Sequence, residues 1–189
     1  MTSTRNTRED VIAAAGRLFA QRGYHGTSMR DLGQELGLLG SSLYSHVTSK
    51  EDLLVEVVEK GARLFAESAE AARAAGGTGA ERLRRLIAGH VDVVVDNLDE
   101  VKTFLNEARF LNGEHRGRIL AARDSYEAEF RDAIRQGIED GSLRWRTDPK
   151  MAGIFVLSIL NALERWYDPS GPMGREELVE TIWSFLNPA

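Results

Sequence analysis

The 189-residue chain has no cysteine, which excludes disulfide frameworks, thiolate metal sites and cysteine nucleophiles. Proline is scarce as well. Three of the four prolines fall after position 168, so long stretches are free to be helical. No run alternates branched or aromatic residues with polar ones, so nothing argues for a strand. No apolar segment is long enough to span a bilayer, and the opening MTSTRNTRED lacks the hydrophobic centre of a secretory signal. These absences point to a cytoplasmic protein with no membrane partner. Histidines 25, 46, 90 and 115 form no i, i+4 pair with a carboxylate partner, so no metal site is expected. There is also no G-x-S-x-G, phosphate loop or dinucleotide fingerprint, and hence no sign of a cofactor or of an enzyme. The pair Ser41-Ser42 has no general base nearby in sequence, which leaves a hydrolase little support.

What the chain does have is 42% hydrophobic and 28% charged residues, enough for a sizeable core in an ordinary soluble protein. The net charge of -5 is unevenly spread. Residues 1–50 carry six Lys/Arg against four Asp/Glu, and the remainder carries eighteen against twenty-five. A mildly basic head on an acidic body suits a nucleic-acid reader with a non-binding body.

The hydrophobic pattern is helical almost throughout, and predicts an all-α chain of about nine helices. Val11, Ile12, Ala15, Leu18 and Phe19 form a stripe between Thr7 and Arg22, with Thr7 and Asp10 as an acidic capping box and Gly23 as the stop. Ser28 with Asp31 opens a second helix carrying Met29, Leu32 and Leu36, ended by Gly37. A third short segment spans about Leu39–Val47, and Thr48-Ser49-Lys50-Glu51-Asp52 starts a long helix reaching Ala75. Gly76-Gly77-Thr78-Gly79 is a flexible break. Helices are then expected over 80–97, 99–112, 114–140, 149–167 and 175–186, the last following a turn through Asp168-Pro169 and Pro172.

Thr27 to Val47 read as two short helices joined at a glycine, the sequence form of a helix-turn-helix. Such a reader needs a first helix packed on the body, here through Met29, Leu32 and Leu36. It also needs a short second helix with small or polar residues at the end that reaches base edges. Leu39, Gly40, Ser41 and Ser42 supply the slim approach, and Leu43 faces inward. Tyr44, Ser45 and His46 offer hydroxyl and imidazole groups to phosphates or bases, and Tyr44 has the alternative of filling the hinge. Lys50 sits in the first turn of the next helix, where free N–H groups and the dipole favour an anion. Thr27 and Ser28 complete the candidate DNA-binding set. Phe19, Leu32, Leu43 and Leu53 are expected in the core.

The run Leu18-Phe19-Ala20-Gln21-Arg22-Gly23-Tyr24-His25-Gly26-Thr27-Ser28, then Gly37-Leu38, Ser42-Leu43-Tyr44-Ser45-His46 and Ser49-Lys50-Glu51-Asp52-Leu53-Leu54, resembles the DNA-binding head of the TetR family of transcriptional repressors. The resemblance covers roughly the first quarter of the chain. It implies a DNA-binding domain over 1–50 and a ligand-binding and dimerisation domain over 51–189. It further implies a homodimer on a palindromic operator in double-stranded DNA, released by a small-molecule inducer. The chain departs from the pattern at Val47, where many relatives carry Phe, and at Leu39-Gly40, where a polar pair is usual. The stretch Leu38–Tyr44 is most similar to a subgroup that controls fatty-acid and sterol catabolism and responds to acyl-CoA thioesters. The same head would serve an activator, and the same fold could bind ligand without binding DNA.

In the body, Ile154–Leu163 is apolar nearly all round and must be covered on most sides. A second subunit is the simplest cover, with Leu178, Val179, Ile182, Trp183 and Leu186 of the last helix completing a four-helix interface. A central helix in a monomer is the alternative. Phe104, Arg109, Arg123, Tyr126, Phe130, Asn161, Arg165 and Trp166 set a few polar groups among apolar ones, the composition of a ligand pocket. Arginine near tryptophan would suit an acidic or thioester ligand with an adenine to stack. The competing assignment pairs Arg109 or Arg165 with Glu107, Glu164 or a neighbouring helix.

Overall fold

Thr7 opens the first helix with a reciprocal cap: its hydroxyl accepts from the Asp10 N–H, and the Asp10 carboxylate accepts from the Thr7 N–H at 2.7 Å. In this computed structural model, which describes residues 7–38 and 40–187, the capped helix is α1 (Arg8–Arg22). Gly23, at φ +75°, ends it by donating its N–H to the Phe19 carbonyl. Ser28 and Asp31 repeat the same capping box at α2 (Met29–Leu36), and Gly37 closes that helix in the left-handed region at φ +64°. Next come α3 (Gly40–Leu43), α4 (Lys50–Ala74) and α5 (Gly79–Asp96), the last capped by Thr78 with Glu81. After α6 (Leu98–Asn106) and a 3-10 turn (Ala108–Phe110) the chain enters α7 (Gly113–Glu139). Asp148 caps α8 (Pro149–Asn161), which carries proline in its first turn; α9 (Leu163–Trp166) and α10 (Arg175–Leu186) follow. Among the described residues there is no strand.

The nine expected stretches are all helical, with three differences. The third is a four-residue helix rather than one reaching Val47. After Leu43 the chain continues as a hydrogen-bonded turn, and the Ser45 hydroxyl donates back to the Ser42 carbonyl at 2.7 Å. The sixth stretch tightens after Asn106 into the 3-10 turn, and Leu111 leaves it extended. The eighth breaks between Asn161 and Leu163 with no proline or glycine to mark the place.

Two compact units make up the chain: residues up to Ala62 with Asp99–Ile119, and Arg63–Leu98 with the residues from Leu120 onward. The first unit is cored by Val11, Leu18, Phe19, Leu32, Leu43, Leu53, Leu54, Val57 and Val58, joined by Val101 and Leu111. Phe19, Leu32, Leu43 and Leu53 are therefore interior, as their spacing suggested. Gly61 permits a close approach of α6: a methyl there would lie 2.8 Å from the Phe104 Cβ. In the second unit α5 is the buried element, contributing Leu83, Leu86, Ile87, Val91 and Val94. Phe130, Ile134, Leu143, Val156, Leu160, Leu163, Leu178 and Ile182 complete that core. At its start α5 crosses α7 through glycine on both sides, since a Cβ on Gly79 would fall 2.0 Å from the Gly137 nitrogen.

Candidate nucleic-acid interface

The reader rests on two buried anchors. Leu43 is wholly buried and Val47 nearly so, which pins the turn between α3 and α4 to the core of the first unit. With those anchors inward, Ser42, Tyr44 and Ser45 are exposed and His46 is half-buried. Tyr44 is 55% exposed, a large aromatic ring held at the surface with its hydroxyl free to meet a phosphate. Leu39 lies outside the described residues, as do the side chains of Gly40 and Ser41, so that part of the expected set has no structural account. Behind the turn is a cleft of about 430 Å³ lined by Tyr44, His46, Thr48, Asp52, His115 and Arg118 among others. Thr48 donates its hydroxyl to the Asp52 carboxylate, whose pKa is lowered from its ordinary value chiefly for that reason.

Three expected DNA contacts have other work. Thr27 is buried, and its hydroxyl donates to the Gly23 carbonyl at 3.0 Å and reaches the Leu18 carbonyl at 3.3 Å. It holds the loop between α1 and α2 from inside. The Ser28 hydroxyl is taken up by the cap of α2, donating to Asp31 at 2.5 Å while remaining at the surface. The Asp31 carboxyl is correspondingly held below its usual value by Ser28. Lys50 does open α4 as expected, but its ammonium does not stand free. It donates to the Tyr24 and Thr27 carbonyls, each at 3.0 Å, and lies 4.2 Å over the Tyr24 ring. Two of its three N–H donors are therefore spent on the α1–α2 loop.

The candidate ligand residues divide between the units. Phe104 and Arg109 belong to the first: Phe104 is buried against Gly61, and the Arg109 guanidinium is over the Phe110 ring at 4.8 Å rather than paired with Glu107. In the second unit, Tyr126 and Phe130 meet edge to face at 5.3 Å, and Tyr126 is 5.2 Å from Phe65. His90, which the sequence did not single out for binding, joins them. Its ring is 4.7 Å from Phe65, and its Nδ1 is 3.2 Å from the Tyr126 hydroxyl. Burial drives the His90 pKa down to about 3, with the Leu160 backbone pulling weakly the other way, so the ring is neutral. Its Nε2 is buried without a hydrogen bond of normal geometry. Burial likewise raises the Tyr126 phenol and lowers the Arg123 guanidinium from its ordinary value. Asn161 is half-buried at the end of α8. Arg165 and Trp166 point outward, and Arg165 takes the competing assignment, the pair with Glu164. Arg165 pairs with its neighbour Glu164 at 3.2 Å, and Trp166 is 58% exposed, because the one-turn α9 buries Leu163 and Glu164 instead.

Among the described residues, no group of three or more His, Asp or Glu is placed to hold a metal ion, and no helix is long and apolar enough to cross a membrane.

Comparison with known proteins matches two parts of the chain to family models. Residues 11–57 match the bacterial regulatory proteins of the tetR family, and residues 76–187 match the tetracyclin repressor-like C-terminal domain. The HTH-type transcriptional repressor KstR2 of Mycobacterium tuberculosis is 27% identical over 173 residues, covering 90% of this chain and 86% of that protein. The TetR family transcriptional regulator PfmR from Thermus thermophilus superposes with a TM-score of 0.85 at 34% identity, over 94% of this chain and 96% of that one. AibR, solved in complex with isovaleryl coenzyme A and operator DNA, gives a TM-score of 0.86 at 27% identity, over 96% and 98% of the two chains. The punctuated helix-turn-helix, the all-helical body and these matches agree: the chain belongs to the TetR family, whose members are transcriptional regulators and not enzymes.

Proposed function

We propose that this regulator is a repressor that binds a palindromic operator as a homodimer and is released by an acyl-CoA or another lipid-like acid. One observation carries the DNA-reading part: burial of Leu43 and Val47 turns Ser42, Tyr44 and Ser45 outward on a short helix and its following turn. That arrangement presents hydroxyl groups and a half-buried imidazole to a major groove, with Tyr44 on the flanking phosphate. Residues 1–50 act as the reader and 51–189 as the binding and dimerisation body, although the reader's compact unit also takes in Asp99–Ile119.

Dimerisation is supported by the outward face of α8. Met151 is 43% and Phe155 56% exposed, and Phe185 of α10 is 75% exposed. Large apolar groups spaced four apart on one helix, with a third exposed on the last helix, want a cover that a second copy supplies symmetrically. Two readers must then be set to match successive major grooves, about 34–36 Å apart.

The ligand part rests on the interior of the second unit. Arg123, Tyr126, Phe130, Asn161 and the neutral His90, its Nδ1 already beside the Tyr126 hydroxyl, place a few polar groups among apolar walls, suited to a thioester carbonyl on an acyl chain. AibR's complex with isovaleryl coenzyme A makes that class the first to test. Ligand and operator must compete, each weakening the other by the same factor. Fluorescence anisotropy on the upstream region of the chain's own gene, with and without isovaleryl coenzyme A and longer acyl-CoAs, tests all of this at once. Specific binding that an acyl-CoA weakens is the expected result. Binding that no acyl-CoA alters would refute the ligand class, and no specific binding would refute the reader.

A further inference from the structure

Glu107 sits between α6 and the 3-10 turn, and is 9% exposed. Its Oε2 accepts the backbone N–H of Tyr24 at 2.6 Å, across 83 residues of sequence. The contact is reinforced by rings. Phe110 stacks on Tyr24 with centroids 6.0 Å apart and meets His25 edge to face at 4.3 Å. One turn earlier, the Thr103 hydroxyl reaches the Gly16 carbonyl of α1 at 3.4 Å.

What is gripped is the loop Gly23–Thr27, which delivers the chain from α1 into the cap of α2. That loop is held from both sides: Glu107 takes the Tyr24 N–H, while Lys50 takes the Tyr24 and Thr27 carbonyls. A buried carboxylate and an ammonium thus bracket a single peptide segment, both as charge-assisted hydrogen bonds. Since α2 passes through Gly37 into α3, the loop's place fixes the place of Ser42 and Tyr44. Nothing in the sequence pattern assigns Glu107 to DNA reading, and it lies far along the chain from the reader.

We propose that Glu107 is a positioning residue for operator recognition: the segment Asp99–Ile119 sets the α1–α2 loop, and through it the reading turn, by one carboxylate–amide latch. The segment joins the second compact unit along the chain at both ends. This rests on the proposed DNA-reading function, and the experiment separates the two.

The full chain and its Glu107→Gln, Glu107→Ala and Phe110→Ala variants are titrated onto the upstream operator region and onto an unrelated duplex of equal length, alongside backbone amide exchange at Tyr24 and His25. For Glu107→Ala the expectation is a loss of about tenfold on the operator, unchanged affinity for the unrelated duplex, and faster exchange at Tyr24. Phe110→Ala should shift in the same direction. Glu107→Gln keeps a side-chain acceptor and should stay near the wild type. If Glu107→Ala and Glu107→Gln both bind DNA more tightly, Glu107 acts only by repelling phosphates and the proposal fails. Equal losses on both duplexes, with a lowered melting temperature, would make it a packing residue and also overturn the proposal. If the wild type binds neither duplex, the DNA-reading function has failed, while exchange at Tyr24 still reports the latch itself.

Discussion

Substituting Phe155 by glutamate attacks the proposed interface without touching the core. The ring is 56% exposed in the single chain, so the fold does not depend on it. Fully burying a phenylalanine contributes about 1.5–3 kcal/mol, and covering the exposed half contributes about 1.5 kcal/mol at the upper end of that range. Twofold symmetry applies the loss to both copies, giving about 3 kcal/mol per dimer, or about two decades in dissociation constant. The new carboxylate adds a desolvation cost in the same direction wherever the two faces meet. Sedimentation velocity over a concentration series reads the shift directly, and circular dichroism checks that the helices persist. The same variant should lose operator affinity, because two linked readers bind far more tightly than one. If Phe155→Glu sediments as the wild type does at every concentration, this face does not form the dimer. A variant that unfolds would instead show that Phe155 supports the single chain, contrary to its exposure.

His90 makes stability depend on pH. Its folded pKa is held near about 3 by burial, below the 6.5 of a free histidine, so below pH 6.5 the unfolded chain takes up a proton that the folded chain refuses. The fold is expected to lose up to about 1.4 kcal/mol for each pH unit between about 6.5 and 3, while above 6.5 this group costs nothing. Urea titrations near pH 6.5 and pH 4.5 should differ by about 2.3 kcal/mol more in the wild type than in His90→Asn; equal slopes would refute the burial argument. Lys50→Ala removes the donor to two loop carbonyls and should lower stability by about 1–3 kcal/mol, which thermal unfolding reads; an unchanged melting temperature would show that the loop holds without it. At Gly37, an alanine must adopt φ +64° with no steric gain, and a loss of about 1 kcal/mol is expected by chemical denaturation.

Most of the helix ends could be located in the sequence because capping is a local matter. Thr7 with Asp10, Ser28 with Asp31, and the glycines at 23 and 37 each settle their helix end within four residues. The break of α8 at Ala162 had no such sign, since nothing in Asn161-Ala162-Leu163 forbids a helix and only packing interrupts it. The candidate interface was legible as far as spacing determines which side a residue faces: Leu43 inward, Ser42 and Tyr44 outward. It was not legible where a polar group's partner comes from elsewhere in the fold. Thr27 and Lys50 look like surface donors in a one-dimensional string, yet Thr27 is turned inward onto the Gly23 and Leu18 carbonyls and two of the three Lys50 donors go to carbonyls of the α1–α2 loop. The outward turn of Arg165 and Trp166 carried no sequence sign for a related reason, because the face a one-turn helix presents follows from its neighbours and not from its own period. His90 stayed hidden because a single polar residue inside an apolar helical pattern carries no periodic signal, and Glu107 was legible only as a partner for arginine, not as an acceptor for the Tyr24 N–H.

A hydroxyl-radical footprint on the upstream region of the chain's own gene probes the reader and its pairing together. Two protected half-sites one helical turn apart, about 34–36 Å centre to centre, should appear and then fade when an acyl-CoA is added. Protection of a single half-site, or uniform weak protection that salt removes from every sequence alike, would contradict the account.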